Sequence, residues 1–319
     1  MTEQPLIRGV NAAFLGVTDP EPHLAYYRDQ LGFAVAESGV LAEADAAAIW
    51  GEGVGEVGVT VLTAAGAPHG RIVLLTVPAG EAVHPHSADY GLAGIDLYTR
   101  DITQSHRELT AAGYSWVTPP ATWRVPLGEK LVTVTEGFCN APEGTGVVFV
   151  EPAAPRGTAA WDAEPDRFYT ELTSLVCHVP DFEAEVAFWG PDGMGLSQWY
   201  DVSFSDPGLD EMASLPAGTV MRLAFLAGEL TARIEVTRIQ DRTVGTDRRA
   251  QQRTARHLGH TGWLVHTRDL DAVLERVRER GGSVRTGPVQ APALLFGGAR
   301  VAFVDTPNGI PVTFAEQAA

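Results

Sequence analysis

VNAAFLGVTDPEPHLAYYRDQLGF, residues 10–33, is the stretch that decides the fold. Its first eight residues are mostly apolar, which is typical of a buried or half-buried strand. Asp19 follows the strand and can cap a helix, because its carboxylate accepts a hydrogen bond from a free N–H group of the first turn. Gly32 suits the end of that helix, where a left-handed residue is common. The stretch therefore predicts a strand, an acidic turn, a helix and a glycine stop.

The same pattern recurs three more times along the chain. The further copies read LAGIDLYTRDITQSHRELTAAGY (residues 92–114), LTSLVCHVPDFEAEVAFWGPDGMGL (172–196) and HTGWLVHTRDLDAVLERVRERGG (260–282). Each copy is followed by several strand signals separated by Gly and Pro turns. Four copies in sequence indicate four β-α-β-β-β modules and an α+β fold class.

A Pro- and Ala-rich stretch without periodicity, PAAPRGTAAWDAEPDR, separates the second copy from the third. It is typical of a linker. We therefore divide the chain into a first domain at 1–151 with modules 1 and 2, a linker at 152–167, and a second domain at 168–319 with modules 3 and 4.

The segment from Asp19 to Phe33 resembles the D-x-x-x-S-x-x-F-Y-x-x-x-L-G-F signature of the vicinal-oxygen-chelate superfamily, which includes glyoxalases, bleomycin-resistance proteins and extradiol dioxygenases. Tyr26 and Tyr27 stand at the aromatic pair of that signature. The hairpins APEGTGVVFVE and TPNGIPVTFAE resemble the closing strand of its modules. The resemblance implies tandem domains in which modules pair within each half, their two curved mixed sheets each forming a cup for a ligand. Whether the halves exchange modules stays open.

Composition limits the range of partners. A formal net charge of -17 argues against a general binder of nucleic acid or of anionic membranes. Two cysteines cannot build a disulfide framework, and no apolar run is long enough to cross a bilayer. We expect a cytoplasmic protein whose partner is a small-molecule ligand or substrate, and the sequence leaves a homodimer open.

In metal-dependent members of the family, the ligands occupy positions in the first and closing strands of the modules. Such an ion needs several N or O donors that converge on one point. Here one carboxylate stands at these eight positions, which are occupied by Ala12, Gly94, Ser174, Gly262, Val73, Val148, Glu235 and Thr313. We therefore predict no metal and no other cofactor, with a displaced divalent-metal site at His178, His266 and Glu235 in the second domain as the alternative.

Strand parity assigns the polar side chains of the second cup. Glu235, His178 and His266 are its candidate acid–base residues. Its candidate ligand-binding residues are Ser174, Arg233 and Thr313. A second interpretation is structural: the histidines are hydrogen-bonded at the cup mouth, and Glu235 pairs with an arginine such as Arg222 or Arg233.

The same parity argument, together with the tryptophans of nearby strands, gives the candidate ligand-binding residues of the first cup. Aromatic rings can stack on a planar ligand, although at such positions they also form ordinary core. The candidates are Phe14, Asp96, Tyr98, Trp50, Trp116 and Trp123. Asp96 is the charged group among them.

These features predict a metal-independent, glyoxalase/bleomycin-resistance-like protein that binds a small organic, aromatic molecule in a cup. The alternative is a metal-independent enzyme, an isomerase, cyclase or lyase, that uses acid–base residues of the cup. Metal-dependent glyoxalase or dioxygenase chemistry is the third possibility, because most of the usual metal ligands are absent from the eight positions given above. The sequence alone does not decide between binding and catalysis.

Overall fold

A computed structural model describes residues 5–78, 86–153, 157–230, 232–252 and 257–317. Modules 1 and 2 each start with a long buried strand followed by a capped helix. Module 1 consists of β1 (Ala12–Val17), α1 (Pro20–Leu24) continued by a π-helical segment (Ala25–Gln30), β2 (Ala34–Leu41), α2 (Glu43–Trp50), β3 (Val57–Thr63) and β4 (Arg71–Thr76). Module 2 consists of β5 (Gly91–Thr99), α3 (Ile102–Ala111), β6 (Ser115–Trp116), β7 (Ala121–Leu127), β8 (Lys130–Asn140), a 3-10 turn (Pro142–Gly144) and β9 (Gly146–Glu151).

Modules 3 and 4 repeat the pattern after a short helix, α4 (Ala159–Ala163). Module 3 consists of β10 (Tyr169–His178), α5 (Phe182–Trp189), β11 (Ser197–Phe204), α6 (Pro207–Met212), β12 (Met221–Ala227) and β13 (Arg233–Ile239). A further short helix, α7 (Arg249–Gln252), precedes module 4. Module 4 consists of β14 (Gly259–Thr267), α8 (Leu270–Glu279), β15 (Ser283–Gln290), α9 (Ala293–Phe296), β16 (Arg300–Asp305) and β17 (Pro311–Glu316).

The four turn aspartates cap their helices as the sequence predicts. The carboxylate of Asp101 accepts a hydrogen bond from the backbone N–H of Gln104 at 2.8 Å, and Asp269 accepts one from that of Ala272 at 2.9 Å. Asp19 and Asp181 make the equivalent bonds in modules 1 and 3. Each cap satisfies an N–H group that the first helical turn leaves free.

The modules pair across the two halves of the chain, so the expected pairing within each half is wrong. The eight-stranded sheet has the order β15-β16-β17-β14-β1-β4-β3-β2 and combines module 1 with module 4. The nine-strand sheet has the order β11-β12-β13-β10-β5-β9-β8-β6, with β7 paired to β8, and combines module 2 with module 3. In each sheet the two modules are joined by their first strands, which pair antiparallel: β1 with β14 in one sheet, and β5 with β10 in the other.

The segment between the halves explains part of this arrangement. Residues 157–167 do not form an extended linker, because α4 is fixed to the start of β10. The buried carboxylate of Glu171 accepts hydrogen bonds from the backbone N–H groups of Ala159 at 2.9 Å and Ala160 at 3.0 Å. Arg100 of module 2 donates its backbone N–H to the carbonyl of Phe168 at 3.2 Å and places its guanidinium over the ring of Trp161, so this segment lies beside module 2 and β10 pairs with β5. No helix in the described residues is both long and apolar enough to cross a membrane.

The cup of modules 1 and 4, here named the closed cup, is filled by its own side chains. Two helices insert into the closed cup: α2, which follows the second strand of module 1, and α9, which follows the second strand of module 4. Trp50 packs edge-on against Phe14 with ring centroids 6.0 Å apart, and lies 6.2 Å from Phe296. The indole N–H of Trp50 donates to the hydroxyl of Thr313 at 3.3 Å. Phe14, Trp50 and Phe296 belong to one buried apolar cluster that occupies the interior of this cup.

The cup of modules 2 and 3, here named the open cup, receives one inserted helix, α6. Module 2 has the long hairpin of β7 and β8 where modules 1, 3 and 4 have a helix. Less apolar volume therefore enters this cup, and a cavity remains.

Candidate functional site

The cavity of the open cup has a volume of about 360 Å³ and lies on the concave face of the nine-strand sheet. Inward side chains of β5, β8, β9 and β10 form its floor, and β11, β12, β13, β7 and α6 supply the walls. The lining includes the polar residues Ser87, Asp96, Tyr98, Glu136, His178, Tyr200, Arg233, Glu235 and Thr237.

Aromatic side chains form much of the wall. Trp123 lies parallel to Phe204, with ring centroids 5.5 Å apart. Trp199 is stacked on Phe225 at 5.0 Å and is 44% exposed, which places it on the open side of the cavity. The hydroxyl of Tyr200 donates to the carbonyl of Pro126 at 2.7 Å, and this bond fixes the tyrosine ring against the β7–β8 hairpin. Such surfaces suit a planar apolar ligand, because offset and parallel ring contacts add to the free energy of burial.

Three carboxyl groups from three strands meet at the polar end of the cavity. Asp96 comes from β5, Glu136 from β8 and Glu235 from β13. Asp96 is 4% exposed, and none of the described N–H or O–H donors reaches its buried Oδ1 atom. Burial raises the pKa of Asp96 to about 7 and that of Glu136 to about 8. Desolvation has this effect because a low-dielectric environment disfavours the charged form.

The carboxyl groups of Asp96 and Glu235 both line the cavity, and each acts on the pKa of the other. Burial and the nearby charge of Asp96 raise the pKa of Glu235 well above its usual range. The direct interaction of the two carboxyl groups lowers the pKa of Asp96 and raises that of Glu235.

Arg233 supplies the positive charge of this polar end. Its Nε atom donates to the hydroxyl of Ser174 at 2.9 Å, and its guanidinium carbon lies 4.0 Å from the ring centroid of Phe225. The guanidinium charge lowers the pKa values of the three carboxyl groups, but desolvation outweighs it. Of the two arginines considered as partners of Glu235, Arg222 bonds instead to Asp201 and Glu183, and Arg233 is the one whose charge acts on the pKa of Glu235.

His178 lines the cavity beside β13. The hydroxyl of Thr237 donates its hydrogen to the carbonyl of Cys177 at 3.0 Å and so accepts one from the Nδ1–H of His178. This leaves Nε2 as the unprotonated nitrogen. Burial lowers the pKa of His178 to about 4, so the ring is neutral at physiological pH.

The structure thus brings most of the predicted site residues together, but from both halves of the chain. One cavity contains residues that were predicted for two different cups. From the predicted first cup come Asp96, Tyr98 and Trp123. From the predicted second cup come Glu235, His178 and Arg233, together with Ser174, which is bonded to Arg233.

Other predicted site residues lie elsewhere. Phe14, Trp50 and Thr313 pack inside the closed cup, where Trp50 fills the space a ligand would need. Trp116 contacts Phe149 and His106 on the helix-covered side of the sheet, with ring centroids 5.6 and 5.1 Å away. His266 lies at the end of the closed cup, in a groove separate from the open cup. These placements follow from the exchanged pairing of the modules.

Sequence reasoning missed Glu136. Its signal is the alternation in KLVTVTEGFCN, where Val132, Val134, Glu136 and Phe138 share one strand face. This face can be placed inside the cavity only when the register of β8 against β7 and β9 is known.

The donor set of the open cup does not fit the metal that the fold family implies. Of the four expected ligand positions here, Gly94 and Val148 offer no donor and Ser174 offers a hydroxyl bonded to Arg233. Glu235 is the one carboxyl group among them, whereas an ion needs several donors that converge on one point. Within the described ranges, no three His, Cys, Asp or Glu side chains are arranged to hold an ion.

Residues 9–149 match the family model of the Glyoxalase/Bleomycin resistance protein/Dioxygenase superfamily. Among solved structures, glyoxalase I from Zea mays superposes with a TM-score of 0.64 at 14% identity, over 97% of this chain and 92% of that one. A provisionally named dioxygenase from Bacillus subtilis superposes with a TM-score of 0.61 at 11% identity, over 99% and 87%. No curated protein sequence matches the chain. At these identities the structural likeness establishes the fold alone.

Proposed function

We propose that this chain, whose residues 9–149 belong to the glyoxalase/bleomycin resistance protein/dioxygenase superfamily, binds a small, largely aromatic organic molecule in the open cup. The observation that carries the proposal is the contrast between the two cups. One is filled by its own tryptophan and phenylalanine side chains, and the other keeps a cavity of about 360 Å³. A ligand of that size would bury its rings against the walls.

The two ends of the cavity define the expected ligand. Trp123, Trp199 and Phe225 provide flat apolar surfaces for a ring system. Asp96, with an oxygen that no described donor reaches, and Arg233 provide an acceptor and a donor at the other end. A ring system with one polar substituent would satisfy both ends, because a buried polar atom costs free energy until it is hydrogen-bonded.

Binding is proposed to need no metal, since the donors of the cavity do not fit one. The test is a titration with naphthol, naphthoic acid and naphthylmethylamine. Binding is monitored through the tryptophan fluorescence of the protein, to which Trp123 and Trp199 contribute. Saturable binding of at least one probe, unchanged after treatment with a chelator, is expected. The absence of binding by all three probes at their solubility limits would count against the proposal.

A second candidate function is acid–base catalysis without a metal, such as isomerisation, cyclisation or elimination. It is favoured by the Asp96 and Glu235 carboxyl groups in the cavity, since a carboxyl with a pKa of about 7, as in Asp96, exchanges protons readily at neutral pH. The neutral His178 offers a further base. Product analysis of a bound compound after long incubation separates the candidates, because a binding protein returns its ligand unchanged.

A further inference from the structure

A second concavity, here named the arginine groove, adjoins the closed cup and plays no part in the proposed function. Its volume is about 810 Å³. Leu295, Phe296 and Ala315 line it and also belong to the apolar cluster that fills the closed cup. The groove therefore lies where that packed interior ends. The polar residues of its lining that the argument uses are Arg71, His266, Arg268, Arg300, Glu316 and Gln317.

The charges of the arginine groove are unbalanced. Three guanidinium groups line it against the single carboxylate of Glu316. That carboxylate already accepts a hydrogen bond from Arg300 at 3.2 Å, and Arg300 also donates to Asp271 at 2.9 Å. The groove thus concentrates positive charge on a chain whose formal net charge is -17. A local field of this sign attracts anions.

Arg71 carries the clearest sign of a missing partner. Its Nε atom is buried, and no acceptor among the described residues receives its hydrogen. A buried donor on a charged group normally has an acceptor, because a buried donor without one has lost its hydrogen bond to water and gained none in return. An acceptor oxygen of a ligand in the groove would complete this bond.

His266 adds a second donor on the same side. The amide nitrogen of Gln317 can only donate, and it lies 2.7 Å from Nδ1 of His266, so the ring hydrogen is on Nε2. Burial and the charge of Arg71 lower the pKa of His266 to about 4, which keeps the ring neutral. The histidine is therefore a neutral Nε2–H donor at physiological pH.

We propose that the arginine groove is a second binding site, which takes the carboxylate or phosphate group of a small anionic molecule. Arg71 and His266 donate hydrogen bonds to the oxyanion, and Arg268 and Arg300 contribute the surrounding positive charge. Gly297 and Gly298 line the groove without side chains, which leaves room for the rest of the molecule. Guanidinium groups suit both oxyanions because they can bind two oxygens at once.

The proposal is tested by titrating inorganic phosphate and malonate into the full-length protein at constant ionic strength, with chloride as the reference anion. We expect a saturable rise in melting temperature with at least one of the two probes. The probe that binds identifies the preferred oxyanion. An effect no larger than that of chloride for both probes would overturn the proposal.

Variants locate the site. Arg71→Gln should weaken binding of the active probe by about tenfold or more. Arg28→Gln should leave it unchanged, because Arg28 is exposed, pairs with Asp29 and does not line the groove. Should Arg71→Gln not fold, the exposed Arg268 provides the substitution Arg268→Gln, with an expected loss of severalfold. Arg233→Gln tests the open cup. A loss of anion binding in Arg233→Gln, with full binding in the groove variants, would contradict the proposal.

Discussion

Asp96 and Glu235 stand on strands from opposite halves of the chain, and both line the cavity of the open cup. This arrangement exists because β5 pairs with β10, which in turn pairs with β13. Module exchange is therefore what creates the polar end of the cavity.

Glu235→Gln should separate the two candidate functions. Burial and Asp96 raise the pKa of Glu235 well above its usual range, so glutamine, which has a similar shape and donates hydrogen bonds, mimics the protonated form of Glu235. For a binding protein, the dissociation constant of a naphthalene probe should stay within about threefold of the wild-type value. For an acid–base enzyme, turnover should fall by about a hundredfold or more, because the proton can no longer be transferred. Asp96→Asn is the companion variant, since it removes the acceptor.

Trp123→Ala and Trp199→Ala should each weaken probe binding by about tenfold, which corresponds to about 1.4 kcal/mol. Both indoles face the cavity, and a lost ring contact removes buried apolar area. Trp116→Ala is the matched control, because Trp116 packs on the other side of the sheet. Equal losses of affinity in Trp116→Ala and Trp123→Ala would mean that the effect comes from stability rather than from contact with the ligand.

The stability of the protein should decrease between about pH 6.5 and pH 8. The folded state keeps protons on Asp96, with a pKa of about 7, and Glu136, with a pKa of about 8, whereas the unfolded chain has lost them by about pH 5. A group that binds its proton more tightly when folded stabilises the fold at low pH, and this stabilisation is lost as the pH rises through the folded pKa. His178 and His266 have lowered pKa values and act in the opposite direction, but only below about pH 6.5.

Glu136→Gln tests this pH dependence by urea unfolding. Between about pH 6.5 and pH 8, the free energy of unfolding should fall less in the variant than in the wild type, and the difference should be about 1–2 kcal/mol. The exposed Glu129→Gln serves as the control. Parallel pH profiles for wild type and Glu136→Gln would show that Glu136 is not protonated in the folded protein.

The two halves should depend on each other for folding. Expressed alone, residues 1–151 lack both β14 and β10, so neither first strand finds its partner. We expect each half to be insoluble or unfolded by itself and the co-expressed halves to form a complex with the mass of the intact chain. Two soluble, monomeric halves with cooperative unfolding would contradict the observed pairing.

The sequence predicted the module well but not its partner. Asp19, Asp101, Asp181 and Asp269 cap their helices because capping is a local interaction within a few residues. Pairing is different, since all four first strands are apolar and buried, and any two could form the joint. The contacts between β5 and β10 are distant in sequence, such as the hydrogen bond that the backbone N–H of Tyr98 donates to the hydroxyl of Thr170 at 3.0 Å.

The candidate site was predicted in part for the same reason. Strand parity correctly placed Asp96, Glu235 and Arg233 on concave faces, because side chains alternate along a strand. Parity did not reveal that Trp50 fills one cup, since that depends on where α2 inserts. Glu136 was missed because the register of β8 is set by its neighbours β7 and β9.

The central claim is that the cavity between modules 2 and 3 is the ligand site. A crystal structure of the protein with whichever naphthalene probe binds in solution tests it most directly. We expect the rings between Trp123 and Trp199, with the polar substituent within hydrogen-bonding distance of Asp96 or Arg233. Probe density in the closed cup or the arginine groove, with the open cup holding only solvent, would contradict the claim.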